Sequence, residues 1–188
     1  MSLLNVLFRR ERIKQASRYI LDDSVVCDIG CGINAEFLLS VEHRIRKGIG
    51  IDFRIKNTKF RNIELLKFDL EKPSKLEFND NQFDHVVLLA ILEHLRRPEM
   101  IVKEAYRILA PGGSLIVTSP VPLSKNILRL LLLTPFFDDE EEASKHKGYF
   151  SGKALKEIFL DAGFVNITFK KFEFGFNSIV AGYKQSKV

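Results

Sequence analysis

Five short, mostly apolar runs, Val25–Ile29, Gly48–Phe53, Ile63–Leu70, Phe83–Ala90 and Ser114–Ser119, are each bounded by Gly, Asp or Pro. A strand with one wet face alternates apolar and polar residues, whereas a strand buried on both faces does not. The runs therefore predict a parallel sheet sandwiched between helices. Between the last two, Pro98 opens a helical stretch with Ile101, Val102, Ala105, Ile108 and Leu109 on one face, and Pro111-Gly112-Gly113 ends it. A second helix is expected from a Ser151 cap through Leu155, Ile158, Phe159 and Ala162 to Gly163, a natural left-handed terminator. Val165–Phe174 and Phe176–Tyr183 then follow with only Gly175 between them, which leaves no room for a crossover helix and predicts an antiparallel pair. The expected fold class is α/β: a doubly wound seven-stranded sheet, mostly parallel, with an antiparallel C-terminal hairpin and helices on both faces.

At 188 residues the chain suits one domain spanning 1–188, with a helical segment at 1–20 and an insertion at 120–150. Its net charge of +5 is concentrated at 9–18 and 44–61, and these runs read as solvated faces rather than a nucleic-acid surface, so RNA is the less favoured partner. Cys27 and Cys31 have no His in a ligand spacing, so they read as free thiols and no metal site is expected. Residues 3–8 place apolar side chains ahead of the basic ones, the reverse of a signal peptide. No run reaches the ~18 apolar residues of a membrane span. A cytoplasmic protein is the expectation, and the sequence leaves its oligomeric state open.

The first strand feeds a glycine turn, Asp28-Ile29-Gly30-Cys31-Gly32-Ile33-Asn34-Ala35, with Asp52 twenty residues beyond Gly32. Formally this satisfies a dinucleotide fingerprint, so an NAD(P)-dependent oxidoreductase is one reading. Asp28, however, would press a carboxylate towards a pyrophosphate. A cofactor carrying an ammonium and a sulfonium reverses that sign, and the tight backbone still allows close approach.

In the order and spacing of its motifs the chain resembles the class I S-adenosylmethionine-dependent methyltransferases, in particular the small type 11/12 branch, over roughly residues 20–184. Asp28-Ile29-Gly30-Cys31-Gly32 is similar to that family's first motif, and Gly48-Ile49-Gly50-Ile51-Asp52-Phe53 to its second strand with the ribose-binding acid. Phe68-Asp69-Leu70 is similar to the adenine-contacting segment, Leu92-Glu93-His94-Leu95 to the turn after the fourth strand, and Arg107–Leu115 to the helix-to-fifth-strand signature. The resemblance implies a Rossmann-like fold, S-adenosyl-L-methionine as cofactor, and a binding set of Asp28, Gly30, Gly32, Asn34, Asp52, Phe53, Asp69, Leu70 and Ala90. Asn34 stands where many members have glycine, and its tolerance of left-handed backbone is expected to preserve the turn. Physical reasons stand beside the family ones: Asp52 can accept from both ribose hydroxyls, and Asp69 from an exocyclic amine, with Leu70 and Phe53 against the base. The structural alternatives are a strand-end turn for Asp52 and a loop cap for Asp69. A non-catalytic, cofactor-binding relative is a third functional class.

Methyl transfer needs an acceptor, a methyl carbon and a sulfur in line, so positioning does much of the work and a general base helps only with acidic acceptors. The acceptor-side candidates are His94, His146 and Tyr149, each with a structural alternative: a packed turn residue, a solvated loop residue and a core aromatic respectively. The fourth strand lacks the Asn/Asp-Pro-Pro-aromatic loop of base amine methylation, and no Pro-Cys pair supplies the thiol of cytosine methylation. A small-molecule acceptor is therefore expected. Within the insertion, Ile127–Phe137 is mostly apolar and Asp138–Glu142 is five consecutive acids. It reads either as a short helix with a solvated acidic turn or, with Leu3, Leu4, Leu7 and Phe8, as a lid lining an apolar acceptor pocket. Peripheral membrane contact through Arg9, Arg10 and Arg12 is the less favoured variant, because the five acids oppose anionic lipid.

Overall fold

The computed structural model describes residues 3–71, 75–121 and 150–186. Helix α1 (Leu3–Ser17) precedes strand β1 (Val25–Ile29), the short helix α2 (Glu36–Val41) and β2 (Lys47–Asp52). Then come β3 (Thr58–Phe60), β4 (Ile63–Lys67), β5 (Phe83–Leu89), a 3-10 turn at Leu92–His94, α3 (Pro98–Ile108) and β6 (Leu109–Pro120). Helix α4 (Gly152–Asp161) leads into β7 (Val165–Phe172) and β8 (Asn177–Tyr183).

The strands form one sheet in the order β3-β4-β2-β1-β5-β6-β8-β7. Strands β4, β2, β1, β5 and β6 run parallel, while β8 is antiparallel to both β6 and β7. This is the expected architecture with one strand more. The extra element, β3, pairs antiparallel with β4 at the sheet edge over three residues, too short and too polar to leave a periodic signal. The runs at 63–70 and 83–90 are also trimmed, to Lys67 and Leu89.

Local chemistry explains the helix ends. Pro98 sits in the first turn of α3. The C-terminal carbonyls of that helix are met by Lys184, whose ammonium donates to the carbonyls of Tyr106 and Leu109. Ser151 caps α4 by accepting from the Ala154 amide at 3.1 Å, and Gly163, at φ +99°, ends it. The hairpin turn Glu173-Phe174-Gly175 is left-handed throughout, with φ from +52° to +89°.

Two apolar cores lie on the two faces of the sheet. Val86 and Leu88 of β5 join α3 and α4 through Val102, Ala105, Leu155 and Phe159. Val87 faces the other way, towards Ala16 of α1 and Phe37, Leu38 and Val41 of α2. The strand order reverses at β1 and β5, and the crevice that an open α/β sheet offers to ligands lies at their carboxyl ends, on the α1 side.

Candidate functional site

The site begins where β1 stops. Gly30 and Gly32 take φ of +79° and +71°, and the amides of Gly30 and Cys31 both donate to the Ile51 carbonyl, at 2.8 and 3.1 Å, folding the loop over the end of β2. A Cβ on Gly30 would lie 2.8 Å from Ile91 Cγ1, so the backbone there packs directly under the turn that follows β5. The third left-handed residue is Ala35, at φ +45°, the residue before α2. Asn34 does not fill that role: the turn is preserved, but its left-handed position falls one residue later, and Asn34 projects into solvent towards Glu36.

Above this loop is a cavity of about 300 Å³, lined by the glycine turn, Asp28, Leu89 and Arg54, and roofed by Arg9, Arg12 and Ile13 of α1. Arg9 ties α1 to α2 through an ion pair with Glu36 at 3.0 Å, although its Nε–H is not aligned for a hydrogen bond. Asp28 is in register with Gly50 and Val87, so its side chain points to the α1 face. It is 2% exposed, and no hydrogen bond from the described residues reaches its carboxylate. Burial pushes this carboxyl up to about 8, and the charge of Asp52 adds to the effect. Cys31 is raised by burial above all, with the Asp28 charge second, and its thiol is accordingly protonated and unreactive.

Asp52 is buried but well partnered. Its Oδ2 accepts from the Gly32 amide at 3.0 Å and from Arg54 Nη2 at 3.2 Å; its Oδ1 accepts from the Arg54 amide at 2.9 Å and Arg54 Nε at 3.1 Å. Desolvation works to raise this carboxyl, and the Arg54 and Gly32 hydrogen bonds outweigh it, holding it below the usual range. All four lone-pair directions of the carboxylate are thus engaged. A ribose hydroxyl would have to displace Arg54, whose side chain is 49% exposed and lies over the Phe53 ring at 5.4 Å.

The other expected residues divide. Phe53 is exposed and does not line the cavity. Asp69 accepts from the Glu71 amide at 3.0 Å, the loop-capping geometry, and Leu70 packs on the α3-side core. Ala90, left-handed at φ +53°, donates its amide to the Thr118 carbonyl; its neighbour Leu89 is the residue at the cavity wall. His94 closes the 3-10 turn, half-buried and away from the cavity lining. His146 and Tyr149 lie outside the described residues, as does most of the insertion.

Sequence reasoning did not single out three features. Arg54 read as one charge in the basic stretch 44–61, although its place two residues after the strand-end acid was available as a signal. Arg9 and Arg12 read as solvated or, less favoured, as membrane contacts and not as part of the cofactor cavity, because the fold-back of α1 onto the sheet is a tertiary fact. Glu93 read only as part of a motif, yet it is 1% exposed, with Oε2 unpartnered among the described residues. Burial raises it to about 7, against the pull of its own backbone amide and of Arg12.

Comparison with known proteins supplies the rest. A family model described as a methyltransferase domain matches residues 7–168. The demethylmenaquinone methyltransferase of Staphylococcus epidermidis is 28% identical over 87% of this chain and 77% of its own length. The ubiquinone/menaquinone biosynthesis C-methyltransferase UbiE of Desulfotalea psychrophila is 29% identical over 59% of this chain, and the aligned part spans only 51% of that relative. In fold, a SAM-dependent methyltransferase from Archaeoglobus fulgidus superposes with a TM-score of 0.73 at 19% identity, covering 94% of this chain and 93% of that one.

Proposed function

The chain belongs to the class I S-adenosylmethionine-dependent methyltransferases, and from that premise we propose that it transfers the methyl group to a small, apolar, ring-hydroxylated acceptor, with the cofactor held between the β1 glycine turn and α1. The observation that carries the placement is Asp28: a buried carboxylate beside a glycine turn, without a partner, and so fitted to a cationic amino group rather than to a phosphate. S-adenosylmethionine supplies that ammonium and, in its sulfonium, the electrophilic methyl carbon. Asp28 would take the ammonium, Gly30 and Gly32 would allow the close approach, and Asp52 would take the ribose hydroxyls once Arg54 yields. Asp69, Leu70 and Phe53 fit an adenine site less directly, since Asp69 already caps its loop and Phe53 stands outside the cavity.

The acceptor class rests on the relatives. One relative is named for demethylmenaquinone and the other for C-methylation in ubiquinone/menaquinone biosynthesis, and both names point to apolar quinone-type rings. No helix among the described residues is long and apolar enough to cross a membrane. Positioning such a ring against the methyl group supplies much of the rate, and a base that ionises a ring hydroxyl supplies more.

Calorimetry tests the reading. S-adenosylhomocysteine should bind the wild-type chain and NAD should not; saturable NAD binding without any response to the sulfur ligand would overturn it.

A further inference from the structure

Helix α1 roofs the cofactor cavity, yet its two halves are fastened differently. At the carboxyl end Ala16 is fully buried, and Arg44 donates to the carbonyls of Ser17 and Ile20 at 3.3 and 2.7 Å. Just beyond the helix, the Leu21 amide donates to His85 Nε2 at 3.2 Å. Towards the amino end, no residue from 6 to 15 is buried. The contacts of that half include the partly exposed Arg9–Glu36 ion pair at 3.0 Å and a ring contact of Phe8 with Phe176, 6.5 Å between centroids. Such a pair contributes only ~0–1 kcal/mol, so the half of α1 that covers the site is the loosely held half.

That half brings charge to the cavity. Three arginines line it, of which Arg9 is paired with Glu36 and Arg54 with Asp52. Arg12 stands on the side away from Arg54: its charge acts on Glu93, in the turn after β5, and on Glu173, in the β7–β8 hairpin, whereas Arg54 follows β2. Strand β1 lies between β2 and β5, so Asp28 near its end is flanked by Arg54 on one side and Arg12 on the other. Burial raises both acids near Arg12, which weakens their claim on the guanidinium.

S-adenosylmethionine ends in an amino acid, and the carbon that bears its ammonium bears a carboxylate as well. A site that offered Asp28 alone would leave the second charge desolvated without a partner, at a cost of several kcal/mol. We propose that Arg12 takes the cofactor's carboxylate, and that this contact draws the amino half of α1 down over the site. The assignment rests on the methyltransferase reading above and adds a second point of recognition to it. A guanidinium suits the role, because its planar fork can donate two parallel hydrogen bonds to one carboxylate. A ligand without the carboxylate gains nothing from Arg12 and leaves the roof loose.

The test compares two ligands on the whole chain: S-adenosylhomocysteine and its decarboxylated analogue, in which hydrogen replaces the carboxylate and the ammonium stays. By calorimetry, wild type should prefer S-adenosylhomocysteine about 30-fold, the size expected for a lost charge-assisted contact. Arg12→Met should lose that preference, binding S-adenosylhomocysteine about 30-fold more weakly and the analogue within about twofold of wild type. Arg12→Lys should keep a preference of about fivefold. In wild type, the amides of residues 6–15 should gain hydrogen-exchange protection with S-adenosylhomocysteine and little with the analogue. A loss of affinity in Arg12→Met that is equal for both ligands would show a merely structural role and overturn the proposal. So would a wild type that does not discriminate, or protection of α1 that is the same with either ligand, and these two readings need no variant. Failure of S-adenosylhomocysteine to bind wild type would instead strike the methyltransferase reading, so the two failures are distinguishable.

Discussion

The two ends of the crevice under α1 are built on opposite principles. At the β1–β2 end, the polar groups that fix the loop are closed among themselves: Ile51 accepts two amides, and Asp52 accepts from one loop amide and three groups of Arg54. At the β5–β6–β8 end, buried oxygens lack partners. Asp28 lies between, inside the closed end yet without a hydrogen bond of its own. The contrast separates a frame that holds itself from buried oxygens left unpaired, which a folded chain tolerates only where something else compensates for them.

Asp28 gives the strongest way to break this contrast. Asp28→Asn keeps the shape and removes the charge, and S-adenosylhomocysteine affinity should fall about 100-fold, the size expected for a lost charge-assisted hydrogen bond. Because burial holds the wild-type carboxyl at about 8, the free protein at pH 7 carries a proton there that an arriving ammonium expels. Calorimetry at pH 7 in two buffers of different ionisation enthalpy should show proton release for wild type and none for Asp28→Asn. Equal enthalpies in both buffers for wild type would place the ammonium elsewhere.

Glu93 sharpens the contrast through stability. Its native value of about 7 lies above the ordinary 4.5, so the native state binds more protons than the unfolded chain between those limits. Stability should therefore fall as pH rises from about 4.5 to 7 and stay level above that, as far as this residue contributes. Glu93→Gln should match wild type near pH 4.5 and exceed it at pH 8 by up to about 3 kcal/mol, read from urea unfolding. A variant less stable than wild type at pH 8 would mean that the carboxylate has partners holding the turn together.

These two residues also mark how far the sequence could be read. The doubly apolar strands, the Ser151 cap, the Gly163 stop and the Gly175 hairpin were legible because each depends on short-range chemistry: period, cap or backbone freedom. Asp28 was legible for the same reason, as an acid at a strand end beside a glycine turn. Strand β3 was not, since Thr58-Lys59-Phe60 has no period to show and exists only because β4 offers it an edge. Glu93 read only as part of a motif because a glutamate ordinarily titrates well below neutrality, whereas burial is what raises it to about 7. Asn34 shows the limit of counting along a motif: the turn survived, and the residue that bends left-handed is Ala35.

The smallest expected effect tests whether the closed end is closed by a competitor. Arg54 occupies both oxygens of Asp52, yet half its side chain is in water, where an ion pair contributes only ~0–1 kcal/mol. Removing it with Arg54→Ala should lower stability by less than about 1 kcal/mol, because Asp52 retains the Gly32 amide at 3.0 Å. If ribose hydroxyls must displace the guanidinium, the same variant should bind S-adenosylhomocysteine about threefold more tightly, and wild-type affinity should rise modestly with salt as the competing pair is screened. Were Arg54 instead a direct ligand contact, affinity would fall on its removal. The sign of a threefold change thus decides whether Asp52 is held in reserve for the cofactor or committed to its own loop.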